Sequence, residues 1–260
     1  MIRDHLFSKR APADPDFRWR GEEVSRVEGL SDGVFALTIT LLVVSATAPR
    51  SFYDLWVMVR DLPAFVLSLA IIMMAWHTHY VYFRRYGLED IQTIILNSIF
   101  LFLIMFFAYP LKFLCTFLWS LVIGSDPQAL FAFPDVVHGL TFFGNDIFSS
   151  ALAQRVALMN LYGFGLFGVY ATLFLMHYRA YRLRHVLELD GLEIVMTQGA
   201  LFKHALTTTI AAASLLVLLL TSNPGVSGVV YFLLPVLHAY LSWVARARGR
   251  KAKRLLIESD

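Results

Sequence analysis

The chain carries one cysteine, Cys115, in 260 residues, which excludes an intrachain disulfide and leaves the redox compartment unread. It is also short of charge. Asp, Glu, Lys and Arg make up 16% of residues against 58% hydrophobic, more apolar than a soluble domain of this length needs for its core. The charges are fenced into short segments, leaving charge-free runs at 33–48, 62–83, 91–111, 156–178 and 204–245. Each approaches or exceeds the roughly 20 helical residues that cross about 30 Å of hydrocarbon. The fold class this predicts is an all-α integral membrane protein. Ser222-Asn223-Pro224-Gly225 is a turn signature that splits the last run into two helices, so six spans are expected, near 28–48, 62–83, 92–120, 156–178, 203–221 and 226–245. The expected organisation is a cytosolic N-terminal segment over 1–24, a membrane domain over 25–245 and a basic tail over 246–260.

Other absences narrow the function. Residues 1–24 have no apolar middle region, which predicts no cleavable signal peptide. There is no Gly-x-Ser-x-Gly, no His-Glu-x-x-His and no pair of carboxylates at membrane depth, so nothing points to an enzyme. No phosphate-cradling loop occurs, so no nucleotide cofactor is implied. The Lys and Arg are unevenly placed. With both termini cytosolic, only Arg50, Arg60 and Arg155 of the 22 fall outside, and Lys112 within a span, which favours that orientation. The net charge of +3 then reflects topology signals meeting anionic lipid, and needs no nucleic-acid partner.

What stands out is Arg26-x-x-x-Leu30-Ser31-Asp32-Gly33, followed at once by the charge-free run Val34 to Ala48. A guanidinium, a hydroxyl and a carboxylate where a helix enters lipid are costly and mark the functional helix. At about 100° per residue, Leu37, Leu41 and Val44 share a face that extends back to Leu30 and Arg26, with Thr40 flanking it. Ser31 and Asp32 point elsewhere, toward neighbouring helices. Taken alone, the apolar line reads as ordinary lipid-facing or helix-packing surface.

The alternating directions of the spans bring Arg26 to Asp32, His77 with His79, and Asn97 to the cytosolic boundary. A buried carboxylate needs a charged or hydrogen-bonding partner, and Arg26, a histidine and Asn97 have suitable chemistry. The expectation is an interhelical bracket through Ser31 and Asp32 that ties the first span to the second and third. Arg26 either guards the cytosolic mouth or curls back to the bracket. His77 and His79, about 200° apart on a helix, cannot both chelate one metal. His177, His204 and His238 read as packed or interfacial residues. Lys112 is expected to snorkel, or to pair with Asp126 or Asp135. Pro110 should kink its span, and Gly163, Gly165 and Gly168 permit close helix approach. The outer segment 124–154, with few charges and several Phe, lies at the interface or dips into it.

The stretch Arg26 to Val43 resembles the first-helix signature of the endolysosomal potassium channel family (transmembrane protein 175), specifically its prokaryotic branch. That signature runs Arg, three residues, Phe-Ser-Asp-Gly-Val, then alternating aliphatic and Thr positions; Leu30 stands here where the Phe would be. The resemblance extends to Trp76-His77-Thr78-His79, Asn97 and Pro110. Only one copy of the motif is present, which implies one six-helix repeat per chain. One helix cannot enclose a pore, so several copies must surround an axis, and the resemblance implies a homotetramer with the first helix lining a central pore. Leu37, Leu41 and Val44 would form stacked apolar rings, with Thr40 hydroxyls as weak ligands and a potassium ion near Leu37 and Thr40. No Thr-Val-Gly-Tyr-Gly filter occurs, so selectivity for potassium over sodium would come from the cost of dehydration in a hydrophobic constriction. The implied setting is a prokaryotic inner membrane, with monovalent cations, lipid and further copies of the chain as partners, and no cofactor beyond permeant potassium. The alternative is a proton-coupled secondary transporter using Asp32 and His77 as carriers.

Overall fold

The structure is a computed structural model that describes residues 17–21, 23–44, 48–124, 130–131, 141–142, 145–146, 150–234 and 236–240. Five of its helices are long and apolar enough to cross a membrane: α1 (Arg26–Val44), α3 (Leu62–Tyr86), α4 (Ile91–Val122), α5 (Ala151–Arg182) and α6 (Gly191–Thr221). A short helix α2 (Phe52–Arg60) precedes α3. After α6 the chain turns through Ser222 and Asn223 into α7 (Pro224–Val229) and a 3₁₀ turn, Val230–Phe232, with helical residues through 240. Helix thus resumes close to the expected 226, but five helices qualify as spans among the described residues, and positions 241–245 of the predicted sixth lie outside them. So do the segment 1–16 and the tail 246–260.

The helix starts are written in caps. Ser51, Asp90, Ser150 and Asp190 have extended backbones, and their side chains accept from amides of the turn that follows. Asp190 and Glu193 form a reciprocal capping box, which starts α6 well before the predicted residue 203. The charge-free run begins at 204 because Lys203 interrupts it, whereas the helix continues back through Lys203 to Glu193, whose carboxylate is buried and bonded, as described below. Ser150 likewise starts α5 ahead of residue 156.

The helices pack in sequence. α1 lies on α3 and α4, α4 on α5, and α5 on α6, so α1 and α6 are on opposite flanks of the bundle. Small residues set two of these contacts. A Cβ on Gly163 would come within 2.5 Å of Leu215 on α6, and one on Gly165 within 2.5 Å of Phe107 on α4, so α5 sits close to both neighbours. Pro110 lies within the unbroken α4, and the Tyr162 hydroxyl of α5 donates to its carbonyl. Two apolar clusters fill the interior. One gathers Phe35, Leu42, Ile72, Phe100, Ala108 and Leu173; the other gathers Phe17, Tyr82, Tyr86, Met176 and Ala180.

The second cluster lies at what we term the basic end, where Arg84, Arg179 and Arg182 close their helices. Here residues 17–21 form a strap across the bundle. Phe17 is buried edge-on against Tyr86, with centroids 5.6 Å apart, under the Arg85 guanidinium. Arg20 forks onto Glu193 at 3.0 and 2.6 Å and donates through Nε to the Leu187 carbonyl. The amides of Arg20 and Gly21 donate to the Arg84 carbonyl at 3.1 Å. A second clasp joins Asp90, which caps α4, to Arg179 of α5. Burial raises the Asp90 carboxyl, but hydrogen bonds from Arg179 and Thr93 outweigh it and hold its pKa down at about 2.

In the segment between α4 and α5, two-residue strands β1 (Thr141–Phe142) and β2 (Asn145–Asp146) pair antiparallel, a minor departure from an all-helical chain. Phe131 is buried edge-on against Phe113 and Phe117 of α4, so this part of the segment folds onto the helices. Asp126 and Asp135 lie outside the described residues. Lys112 donates to the carbonyl of Leu42 in α1, at 3.4 Å.

Candidate functional site

α1 has two contrasting faces. Glu28, Ser31, Phe35, Thr38 and Leu42, spaced three and four apart, are buried against the neighbouring helices. The opposite face carries Arg26, Leu30, Leu37, Thr40 and Val44, exposed on the protomer, with Leu41 half-buried beside them. The polarity is inverted relative to a soluble surface helix. The carboxylate of Glu28 and the hydroxyls of Ser31 and Thr38 turn inward, whereas Leu30, Leu37 and Val44 keep 66%, 50% and 70% of their surface.

The inward polar groups are satisfied one by one. The Ser25 hydroxyl accepts from the Glu28 amide at 3.1 Å and caps the first turn, while the Glu28 carboxylate pairs with Arg84 of α3 at 3.2 Å. Ser31 Oγ donates to the Val27 carbonyl at 2.7 Å and accepts from Asn97 Nδ2 of α4 at 3.0 Å. Asn97 Oδ1 lies 2.7 Å from His79 Nε2 of α3. An amide oxygen only accepts, so His79 is the Nε2–H tautomer. The result is a continuous chain, His79 to Asn97 to Ser31 to the Val27 carbonyl, that stitches three helices together. It is sealed by rings: His79 stacks on Phe100 at 5.6 Å and lies 5.8 Å from Phe35.

Of the residues the sequence singles out for the bracket, Ser31, His79 and Asn97 meet directly. Asp32 does not join them. Its Oδ1 accepts from Trp76 Nε1 at 2.8 Å, and the indole stacks on Tyr80. His77 is exposed, with its ring 6.4 Å from that of Tyr80, and Arg26 is exposed on the same face as Leu37. Neither makes a hydrogen bond or ion pair among the described residues. The geometric reason is rotation: from His79, the buried histidine, two residues back along α3 is about 200° round, which turns His77 outward. Three participants escape a reading by residue type. Trp76 stands in the quoted Trp76-His77-Thr78-His79 run but offers only an indole N–H. Glu28 completes a Ser25-x-x-Glu28 spacing that signals a cap, and Arg84 reads as a topology charge.

The outward face has its own chemistry. From Gly33 to Val44 it bears no charge. The Thr40 hydroxyl donates to the Ala36 carbonyl at 2.8 Å, so its proton is used on its own helix while its oxygen lone pairs remain available to a cation. Among the described residues no group of three or more His, Cys, Asp or Glu is arranged to hold a metal ion.

Comparison with known proteins is consistent in kind. The family described as endosomal/lysosomal potassium channel TMEM175 matches residues 26–108, which run from the start of α1 through most of α4. A potassium channel of Marivirga tractuosa is 35% identical over 257 residues, covering 96% of this chain and 98% of that one. A potassium channel of Chamaesiphon minutus is 32% identical over 107 residues, 37% of this chain and 51% of its own length. The crystal structure of a threonine-to-alanine variant of the potassium channel MtTMEM175, in complex with a nanobody–MBP fusion protein, superposes with a TM-score of 0.71. It is 34% identical, and the match covers 93% of this chain and 98% of that one.

Proposed function

The chain belongs to the TMEM175 family of potassium channels, and from that membership we propose that it is a passive channel selecting potassium over sodium, assembled as a homotetramer with α1 around the axis. The observation that carries the proposal is the inversion of α1, which binds its polar residues to α3 and α4 and leaves Leu37, Thr40, Leu41 and Val44 outward. One such helix cannot enclose a path, and closed cyclic symmetry is the common way to bring identical faces around one. Four copies would stack rings of Leu37, Leu41 and Val44 narrow enough to strip water. Potassium gives up its hydration shell more readily than sodium, so the constriction favours potassium without a carbonyl filter. Thr40 oxygens, four to a ring, replace part of the lost hydration. No cofactor enters this mechanism; the permeant ion is its cargo. The uneven Lys and Arg support insertion into a prokaryotic inner membrane with both termini cytosolic. The basic tail 246–260 would then be cytosolic.

In this reading the His79, Asn97 and Ser31 chain and the Asp32 to Trp76 bond hold α1 at a fixed rotation. The geometry gives no support to proton-coupled transport. The partner of Asp32 is an indole N–H, which only donates and cannot relay a proton, and His77 does not meet it.

The test is reversal potential in liposomes of purified protein under opposed potassium and sodium gradients. Potassium preference is expected, and Leu37→Asn should wet the constriction and raise sodium permeation. A strictly monomeric particle, or flux unchanged by Leu37→Asn, would overturn the pore.

A further inference from the structure

A groove of about 300 Å³ runs along the flank opposite α1, between α5 and α6. Phe174, Tyr178, Phe202 and Ala205 line its apolar length, and Tyr181 and Gln198 close the end nearest the basic rim. The polarity is graded. Gln198 Nε2 donates to the Tyr181 hydroxyl at 3.1 Å, which leaves that hydroxyl's own proton to donate. Just beyond, the Arg184 guanidinium lies 4.8 Å from the Tyr181 ring centroid and spends one N–H on the Tyr181 carbonyl. Its other donors have no partner among the described residues, and Arg182 beside it is exposed.

We propose that this groove is a binding site for one anionic phospholipid, with an acyl chain against Phe174, Phe202 and Ala205 and the phosphate held by Arg184 and the Tyr181 hydroxyl. Charge complementarity selects the occupant. An open apolar cleft capped by unspent guanidinium donors and a tyrosine hydroxyl matches a lipid with a negative headgroup, whereas a zwitterionic lipid offers an ammonium that Arg182 and Arg184 repel. Arginine forks match phosphate oxygens, and tyrosine is suited to the boundary between tail and headgroup. The inference rests on the proposed assembly in one respect: with α1 at the axis, this flank faces lipid.

The experiment is native mass spectrometry of delipidated full-length protein with phosphatidylglycerol or phosphatidylcholine of identical acyl chains. Phosphatidylglycerol should be retained in preference, and Arg184→Gln should weaken it about fivefold, the effect of one basic residue at an anionic headgroup. Arg60→Gln, an equal charge loss at the far end of α2, should leave it unchanged, and Ala205→Trp should displace both lipids by filling the groove. The site is refuted if Arg184→Gln binds as wild type, if Arg60→Gln weakens binding equally, or if Phe202→Cys cross-links two copies across the groove. Potassium flux in liposomes separates this from the channel reading: loss of lipid preference with flux intact removes only the groove, and absent flux with the preference intact removes only the channel.

Discussion

Asn97→Leu isolates the polar chain behind α1. The two side chains are close in volume, so the substitution removes hydrogen bonds with little cavity. It deletes two interhelical bonds, to His79 and Ser31, each about 0.6 to 1.7 kcal/mol by the range found within membranes. It also strands an N–H on His79, which costs about 1 to 3 kcal/mol when no water can reach it. A change of tautomer gives no relief, because His79 Nδ1 is buried without a hydrogen-bond partner among the described residues. The ring cannot turn outward either, being fully buried beside Phe83 and Phe100. A loss of about 2 to 6 kcal/mol follows, read by denaturant titration in mixed micelles with helix content as the signal. Ser31→Ala, which leaves the His79 to Asn97 bond in place, should lose less. Unfolding of Asn97→Leu within about 0.5 kcal/mol of wild type would show that the chain bears no load and refute the reasoning.

Thr40→Ala should lower potassium preference without stopping current, measured as the shift of reversal potential on exchanging potassium for sodium. Trp76→Phe keeps the stacking on Tyr80 but removes the donor to Asp32; it should alter open probability in single-channel records while the amount of folded protein stays constant. Glu193→Gln leaves Arg20 charged and part-buried beside a neutral amide, and should cost about 3 to 5 kcal/mol, read as an earlier unfolding midpoint. The Asp90 clasp makes a pH window. Its carboxyl has a folded pKa of about 2 against an ordinary 3.8, so its contribution is complete above about pH 4 and disappears as pH falls toward 2. Asp90→Asn should flatten that stretch of the stability profile and leave neutral pH behaviour free of any slope from this group.

The membrane class, the turn at Ser222 to Gly225 and the two faces of α1 were all legible in residue order, because lipid enforces long charge-free runs and a helix repeats every 3.6 residues. Rotation alone turned Leu37 and Val44 one way and Ser31 another. Partners were harder to read. Asn97 and His79 could be named from chemistry and depth, but the preference of Asp32 for Trp76 over a histidine depends on how α3 is turned against α1, which packing decides. The start of α6 was hidden for a related reason: Lys203 interrupts the charge-free run, and Glu193 beyond it reads as a loop charge until Arg20, far away in sequence, is folded onto it. Arg20 itself counted only as a topology marker, since nothing local to it announces a strap.

A transmembrane segment that turns Ser31 and Thr38 inward and displays leucine is as comfortable among acyl chains as against its own kind. Hydrophobicity therefore gives an unassembled subunit no push toward its companions, and it can wait in the bilayer intact. For the proposed tetramer, close steric fit and two-dimensional concentration would govern association. Dilution into excess lipid should then dissociate it into folded single subunits before any helix is lost.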